Sequence, residues 1–305
     1  MSGSHSHGSH SHGEFRSGRA FAIGIGLNLT FVVIEVVFGL VANSIALLAD
    51  AAHNFGDVLG LLLAWGASAL AKRRPSARRT YGFRRTTILA ALTNAVLLFV
   101  AVGAVGWEAV GRLRHPAPVE GMMVLIVAAI GTVVNGASAL LFMKGRKRDA
   151  NVRGAFMHLA ADAVVSLGVV VAGIFILKTG WGWLDPVASL VVSLVILIGG
   201  RSLFMESINL ALDAVPEHIK PEDVRGYLAG LSGVNEVHDL HIWAMSTTEV
   251  ALTAHLVMDG DSCHPAFLRD VAKQLHDRFE IEHATLQVEP PEQEDPCHLA
   301  SDERV

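Results

Sequence analysis

Charged residues and cysteine are both scarce in this sequence of 305 residues. Only 17% of the residues are Asp, Glu, Lys or Arg, whereas a soluble globular protein usually has about 25%. The two cysteines, Cys263 and Cys297, are too few for the disulfide framework of a small secreted domain. The chain opens with Ser, Gly and His rather than with a basic and then apolar stretch, so we expect no secretory signal. The low charge is the first indication of a membrane protein.

Apolar residues, by contrast, are abundant and occur in long runs. They make up 51% of the chain, and the mean hydropathy is +0.44. A transmembrane helix needs roughly 20 consecutive apolar residues, and six runs approach or exceed that length. They cover approximately residues 19–41, 45–71, 86–110, 121–143, 154–177 and 184–208. We therefore predict an α-helical membrane protein with six transmembrane helices.

Positive charge is concentrated in two of the loops between these runs. Cytoplasmic loops of membrane proteins carry an excess of Lys and Arg. We therefore predict that both loops, and with them both chain termini, lie in the cytoplasm. Their basic residues are Lys72, Arg73, Arg74, Arg78, Arg79, Arg84 and Arg85 in the first loop and Lys144, Arg146, Lys147, Arg148 and Arg153 in the second.

The composition becomes more polar after residue 213, which predicts a soluble C-terminal part. Its periodicity predicts the order α-β-β-α-β, a small cytosolic α/β domain of ferredoxin-like type. The complete prediction has four parts: a disordered His-rich cytosolic tail at 1–17, a transmembrane domain at 18–210, a cytosolic metal-binding domain at 211–290 and an acidic tail at 291–305.

One four-residue spacing occurs twice inside the apolar runs, as His53-x-x-x-Asp57 and His158-x-x-x-Asp162. On an α-helix, residues four apart lie on one face, one turn apart. Two such helices facing each other would offer two imidazoles and two carboxylates, a set suited to tetrahedral Zn²⁺. A charged residue at the bilayer centre costs roughly 2.5–3.5 kcal/mol even on insertion scales, so a function is expected for it. The alternative is that these residues only tie helices together.

Other polar residues occur in the apolar runs. Asp50 lies one turn before His53 and is a candidate for helping a cation to reach or leave it. Such residues more often connect helices or line a water path, so none is assigned as a ligand. They include Asn28, Glu35, Asp50, Asn94, Glu108 and Asn135.

The predicted soluble domain carries a second group of candidate ligands. In a hairpin closed by a two-residue turn at Ser246–Thr247, His238 pairs with His255 on one face of the sheet. His283 and Glu289 flank the last strand and would contribute from its two ends. The group predicts a zinc site, and the alternative is that each is an ordinary sheet residue.

The remaining histidines give weaker signals. His241 is expected on the opposite face of the sheet, beside Trp243, in a structural role. Cys297 and His298 offer a thiolate and an imidazole for a further site in the tail. The histidines of the N-terminal tail either capture metal or belong to a floppy segment or cloning remnant, and both interpretations stay open. They are His5, His7, His10 and His12.

These motifs resemble those of the cation diffusion facilitator family over about residues 18–298. The stretch SIALLADAAHNFGD, from Ser44 to Asp57, is similar to the family's second-span signature, and His158-x-x-x-Asp162 is similar to its fifth-span partner. HDLHIW, from His238 to Trp243, is similar to the first strand of its cytosolic domain. The resemblance implies a homodimer that exports divalent cations from the cytoplasm in exchange for H⁺ across the cell inner membrane.

Within that family, His rather than Asp at the position of His53 accompanies a preference for zinc. The resemblance therefore implies a bacterial-type zinc exporter, with Cd²⁺ and Co²⁺ as further candidate substrates. It also implies that Zn²⁺ is a regulatory ligand of the cytosolic domain. The positions that match the family's cytosolic ligands are His238, His255, His283 and Glu289, with Cys297 in the tail. Some members have a further Asp/His site in the loop after span two, and its absence is predicted because residues 72–85 contain neither residue.

Two rival functions were weighed against transport. A membrane hydrolase with intramembrane zinc would need an open coordination position and a motif such as His-Glu-x-x-His, which this sequence lacks. A zinc-sensing scaffold would leave the buried carboxylates unexplained. We therefore predict a transporter and not an enzyme. Its partners are Zn²⁺, H⁺, the lipid bilayer and a second copy of the chain, and no nucleic-acid partner is predicted.

Overall fold

The computed structural model describes residues 14–115, 117–143, 150–258 and 265–291. Within these ranges, six long helices precede a smaller α/β part. They are α1 (Glu14–Val41), α2 (Ile45–Ala71), α3 (Thr86–Arg114), α4 (Gly121–Phe142), α5 (Ala150–Thr179) and α6 (Leu184–Ala211). Five of them are long and apolar enough to cross a membrane, and α1 contributes a shorter apolar stretch, Leu29–Val41. The predicted helical membrane fold is confirmed.

The chain forms two compact units, residues 1–59 with 97–200 and residues 60–96 with 201–305. In the first unit, the start of α2 is fixed by a residue of α6. Asp185 accepts the Ile45 backbone N–H at 2.7 Å and the Ser44 hydroxyl at 2.5 Å. The first N–H groups of a helix have no partner within the helix. This carboxylate therefore satisfies a donor of α2 that would otherwise be unpaired in a buried place.

Helices α4 and α5 pack closely because glycines lie between them. A Cβ atom on Gly173 of α5 would lie 3.1 Å from the backbone nitrogen of Leu125, and one on Gly121 of α4 would lie 2.9 Å from the side chain of Ile176. Larger residues would push the helices apart. The close packing fixes the position of α5, which carries His158 and Asp162.

The second unit contains the α/β domain. Its elements are α7 (Pro221–Ala229), β1 (Val234–Ala244), β2 (Val250–Met258), α8 (Pro265–Phe279) and β3 (His283–Glu289). This order confirms the predicted α-β-β-α-β arrangement. The sheet order is β1-β2-β3, with β1 antiparallel and β3 parallel to β2. Residues of α7 and α8 share one apolar core with alternate residues of the strands, so both helices cover the same face of the sheet.

The hairpin turn between β1 and β2 is longer than predicted. Ala244 pairs with Val250, and the Met245 N–H bonds to the Glu249 carbonyl at 2.9 Å, so the turn contains three residues and not two. That turn alone would place Leu256 opposite His238. A bulge between His238 and His241 adds one residue to β1 and restores the predicted pairing of His238 with His255.

The same bulge places His241 on the face of the sheet opposite to the predicted one. Its centre is Asp239, which has a positive φ of 49°. His241 pairs with Thr253, which lies two residues from His255 on the same face of β2. His241 is therefore on the face that carries His238, because the extra residue cancels the alternation expected over a three-residue step.

Candidate metal sites

The two predicted His–Asp pairs meet inside the first unit, where α2 faces α5. His53 Nε2 lies 3.1 Å from Asp162 Oδ1, and His158 Nε2 lies 3.0 Å from Asp57 Oδ2. The contacts within each helix are longer, 3.9 Å for His53–Asp57 and 3.6 Å for His158–Asp162. Each imidazole is therefore closest to the carboxylate of the other helix.

These distances fit a tetrahedral ion. With metal–ligand distances of about 2.0–2.1 Å, the ligand atoms of such an ion are about 3.3 Å apart. One ligand atom each of His53, Asp57 and Asp162 lies within 4.8 Å of the other two. His158 is not one of these three residues, but it contacts Asp57, and its ring stands edge-on to that of His53 with centroids 5.9 Å apart.

Burial of the four side chains is uneven. The side chain of Asp162 is 4% exposed and that of His53 is 14% exposed, whereas that of His158 is 49% exposed. No hydrogen-bond partner for the buried Nδ1 atom of His53 occurs in the described part of the chain. The group is thus buried on the Asp162 side and exposed on the His158 side.

A second group lies on the face of the sheet opposite α7 and α8. His255 Nδ1 is 3.0 Å from Glu289 Oε1, and His238 Nε2 is 3.4 Å from Glu289 Oε2. The rings of His238 and His255 are edge-on with centroids 5.2 Å apart. One ligand atom of each of the three residues lies within 4.8 Å of the other two.

The environment of the His238 side chain supports a metal-binding role for this group. It is buried, and neither ring nitrogen has a hydrogen-bond partner among the residues that the structure describes. Leaving a buried polar atom unpaired costs about 1–3 kcal/mol, and such atoms in native structures call for an explanation such as an ion. The two imidazole nitrogens of His238 and His255, together with a carboxylate oxygen of Glu289, form a donor set that fits Zn²⁺.

Sequence reasoning missed two polar residues beside this group. The carboxylate of Asp239 contacts His255 Nε2 at 3.3 Å and His241 Nε2 at 2.8 Å. Gln287 pairs with His255 across β2 and β3 and donates to Glu289 Oε1 at 2.9 Å. The string His-Asp-Leu-His contains Asp239, but periodicity alone points its side chain away from His238, and only the bulge turns it back.

His283 is not brought to the group. It begins β3, pairs with Ala251, and its ring lies 5.7 Å from the ring of Tyr81. Glu289 is six residues further along the same strand, which corresponds to about 20 Å at 3.3 Å per residue. The expectation that both ends of β3 supply ligands to one site is therefore wrong within this chain.

Several predicted features lie outside the described residues. The proposed tail site at Cys297 and His298 is one of them. The others are the N-terminal histidines and much of the second basic loop, residues 144–149.

Two family models match the chain. Residues 21–210 match the model described as the cation efflux transmembrane domain. Residues 216–291 match the model described as the cytoplasmic domain of cation efflux proteins. The first match contains both His–Asp pairs, and the second contains His238, His255 and Glu289.

Characterised relatives are similar over most of their length. The metal cation efflux system protein CzcD of Cupriavidus metallidurans is 36% identical over 97% of this chain and 93% of its own. The zinc transporter ZitB of Escherichia coli is 35% identical over 98% and 94%. The cadmium, cobalt and zinc/H(+)-K(+) antiporter of Bacillus subtilis is 34% identical over 85% of each chain. A solved structure, the metal-bound C-terminal domain of CzcD, is 34% identical, covers 23% of this chain and 99% of its own, and has a TM-score of 0.20.

Proposed function

Because the chain belongs to the cation efflux family, we propose that it exports Zn²⁺ from the cytoplasm across the inner membrane in exchange for H⁺. Members of this family are metal-ion transporters, and the chain is therefore a transporter and not an enzyme. We propose Cd²⁺ and Co²⁺ as further substrates, since the Bacillus subtilis relative is named for cadmium, cobalt and zinc.

The transported ion binds between α2 and α5, to His53, Asp57, His158 and Asp162. The observation that carries this proposal is the pair of cross-helix contacts at 3.1 Å and 3.0 Å. Two carboxylates neutralise the charge of a divalent ion, and two imidazoles favour Zn²⁺ over hard cations that prefer oxygen.

Ligand chemistry links zinc binding to protons. An imidazole must lose its proton before it ligates Zn²⁺, and a carboxylate must be ionised. Zinc binding therefore releases protons on the cytoplasmic side, and protonation on the outer side discharges the ion. Each helix supplies two ligands, so a small separation of α2 from α5 would dismantle the site, which suits alternating access around a fixed centre.

The cytosolic group is proposed as a regulatory zinc site. His238, His255 and Glu289 would bind the ion. The bound ion would remove the repulsion between these buried polar groups. It would thereby favour a more compact pair of cytosolic domains in a homodimer. Zn²⁺ acts here only by its differential affinity for the two arrangements. A structural zinc site usually has four ligands, so this set leaves one position for water or a further residue.

The test is zinc uptake into proteoliposomes that contain a zinc-sensitive dye. An acidic interior supplies protons for export and should drive Zn²⁺ uptake, and uptake should decline when the pH gradient is collapsed. Asp57→Asn should abolish it. Glu108→Gln is the matched control, because Glu108 is also acidic and within an apolar helix but pairs with Arg112 away from the site. Zinc uptake that does not depend on the pH gradient, or that is retained in the Asp57→Asn variant, would refute the proposal.

A further inference from the structure

A second pair of acidic residues, Glu35 of α1 and Asp50 of α2, is fully buried and is not part of the proposed transport site. Asn54 donates its side-chain N–H to Glu35 Oε2 at 3.0 Å. Ser166 donates its hydroxyl to Asp50 Oδ2 at 2.8 Å. Asn54 follows Asp50 by one turn of α2, so its hydrogen bond places the Glu35 carboxyl beside the face of α2 that carries Asp50.

The cluster has acceptors that lack donors. Glu35 Oε1, Asp50 Oδ1 and Asn54 Oδ1 are all buried, with no hydrogen-bond partner in the described part of the chain. Ionised carboxylates only accept hydrogen bonds. Two neighbouring carboxylates in a buried place repel each other when both are ionised, and without a nearby cation such pairs share a proton. One proton would convert two repelling acceptors into a donor and an acceptor.

The position of the pair relative to the transport site follows from the helix contacts. Asp50 precedes His53 by three residues on α2, and Ser166 follows Asp162 by four residues on α5. Across α2 and α5, Asp50 contacts Ser166, His53 contacts Asp162, and Asp57 contacts His158. The residue numbers thus increase along α2 while those of their partners decrease along α5. The helices are therefore antiparallel, and the acidic pair lies about one turn, or 5.4 Å, beyond the transport site. With cytoplasmic termini, this is the outer side.

We propose that Glu35 and Asp50 share one proton while the transport site is empty and release it when Zn²⁺ binds. This inference rests on the proposed zinc/H⁺ exchange and adds a proton site separate from the metal ligands. The titratable groups that act on the pair from neighbouring positions are His53 of α2 and Asp162 of α5. A divalent charge one turn away stabilises the ionised pair, and by reciprocity the shared proton weakens zinc binding.

The donor chemistry favours a proton over a second metal ion. The cluster offers carboxylate, amide and hydroxyl oxygens but neither the nitrogen nor the sulfur ligands that hold Zn²⁺ tightly. An alkali cation such as K⁺ would also accept oxygen ligands, and it is the alternative that the experiment must separate. The complete burial of both acids favours the smaller occupant.

The first experiment counts protons. Zinc binding to the full-length protein in detergent is measured by calorimetry in buffers with different ionisation enthalpies, which gives the protons released per zinc. The double variant Glu35→Gln/Asp50→Asn keeps the shape of both side chains and should release about one proton fewer than the wild type. Glu108→Gln should match the wild type. An unchanged count in a double variant that still binds zinc would overturn the proposal.

The second experiment uses the wild-type protein and so does not depend on whether the double variant folds. Infrared difference spectra of the wild-type protein should show a protonated carboxyl band that is lost on addition of Zn²⁺, and its absence would overturn the proposal. Replacing K⁺ by choline should leave proton release unchanged. A K⁺ requirement that disappears in the double variant would instead assign the cluster to K⁺. Failure of exchange itself is distinguishable, because wild-type vesicles would then not couple zinc uptake to the pH gradient.

Discussion

Asp185 of α6 holds the first turn of α2, the helix that carries His53 and Asp57. Its carboxylate accepts the Ile45 N–H and the Ser44 hydroxyl and is fully buried. A hydrogen bond to a charged group contributes about 1.5–3 kcal/mol, so two such bonds contribute about 3–6 kcal/mol. Asp185→Ala should therefore lower the free energy of unfolding by about that amount. Asp185→Asn keeps an acceptor but loses the charge, and it should fall between Asp185→Ala and the wild type.

The assay is thermal unfolding of the purified protein in detergent. A change of 1 kcal/mol shifts Tm by about 2–4 °C in chains of 150–250 residues, so Asp185→Ala should lower Tm by roughly 6–24 °C. Ser44→Ala removes a cap hydroxyl and should cost about 0.5–2 kcal/mol. Ser193→Ala is the matched control. Ser193 is buried in α6, the helix that also contains Asp185, and its hydroxyl has no hydrogen-bond partner among the described residues. A melting temperature of Asp185→Ala within 2 °C of the control would refute the capping argument.

Three further predictions concern the metal sites. His53→Asp replaces a nitrogen ligand by a hard oxygen and should raise Mn²⁺ or Cd²⁺ uptake relative to Zn²⁺ in competition flux assays, where an unchanged ion ranking would count against it. His255→Ala should lower transport at low zinc concentration but leave appreciable flux at saturating zinc. His283→Ala should transport like the wild type, because His283 lies away from the cytosolic group of His238, His255 and Glu289. Equal effects of the two variants would contradict this prediction. Zinc affinity at the transport site should fall as the pH is lowered from 7 to 5, since the imidazoles must be neutral to bind. A flat pH profile in equilibrium binding would exclude imidazole ligands.

The intramembrane group was predictable because two independent regularities coincide in it. Helical periodicity puts residues four apart on one face, and the cost of burying charge makes His and Asp conspicuous in an apolar run. Ser166 belongs to the neighbouring acidic cluster but was not predicted. A serine in an apolar helix carries no charge, and nothing in its spacing distinguishes it from the small residues that pack helices together.

The cytosolic group was predicted only in part, because backbone irregularities decide it. The pairing of His238 with His255 was predicted from a two-residue turn, whereas it results from a three-residue turn corrected by a bulge. Strand alternation cannot reveal that Asp239 adopts a positive φ, although Asp tolerates that conformation better than most residues. His283 was grouped with Glu289 because the two residues flank the last strand and match ligand positions of the family, but an extended strand separates its two ends as far as a chain allows.

Ligand identity in the transport site is tested most directly by X-ray absorption at the zinc edge. The full-length variant His255→Ala/Glu289→Ala, loaded with one equivalent of Zn²⁺, would report the intramembrane ion without the cytosolic site. The account predicts one zinc per chain with two nitrogen and two oxygen ligands at about 2.0–2.2 Å. When Asp162→Asn is added to this variant, zinc binding should weaken and the two-nitrogen, two-oxygen spectrum should no longer be observed. Sulfur ligands, a six-coordinate oxygen shell, or an unchanged spectrum in the Asp162→Asn protein would contradict it.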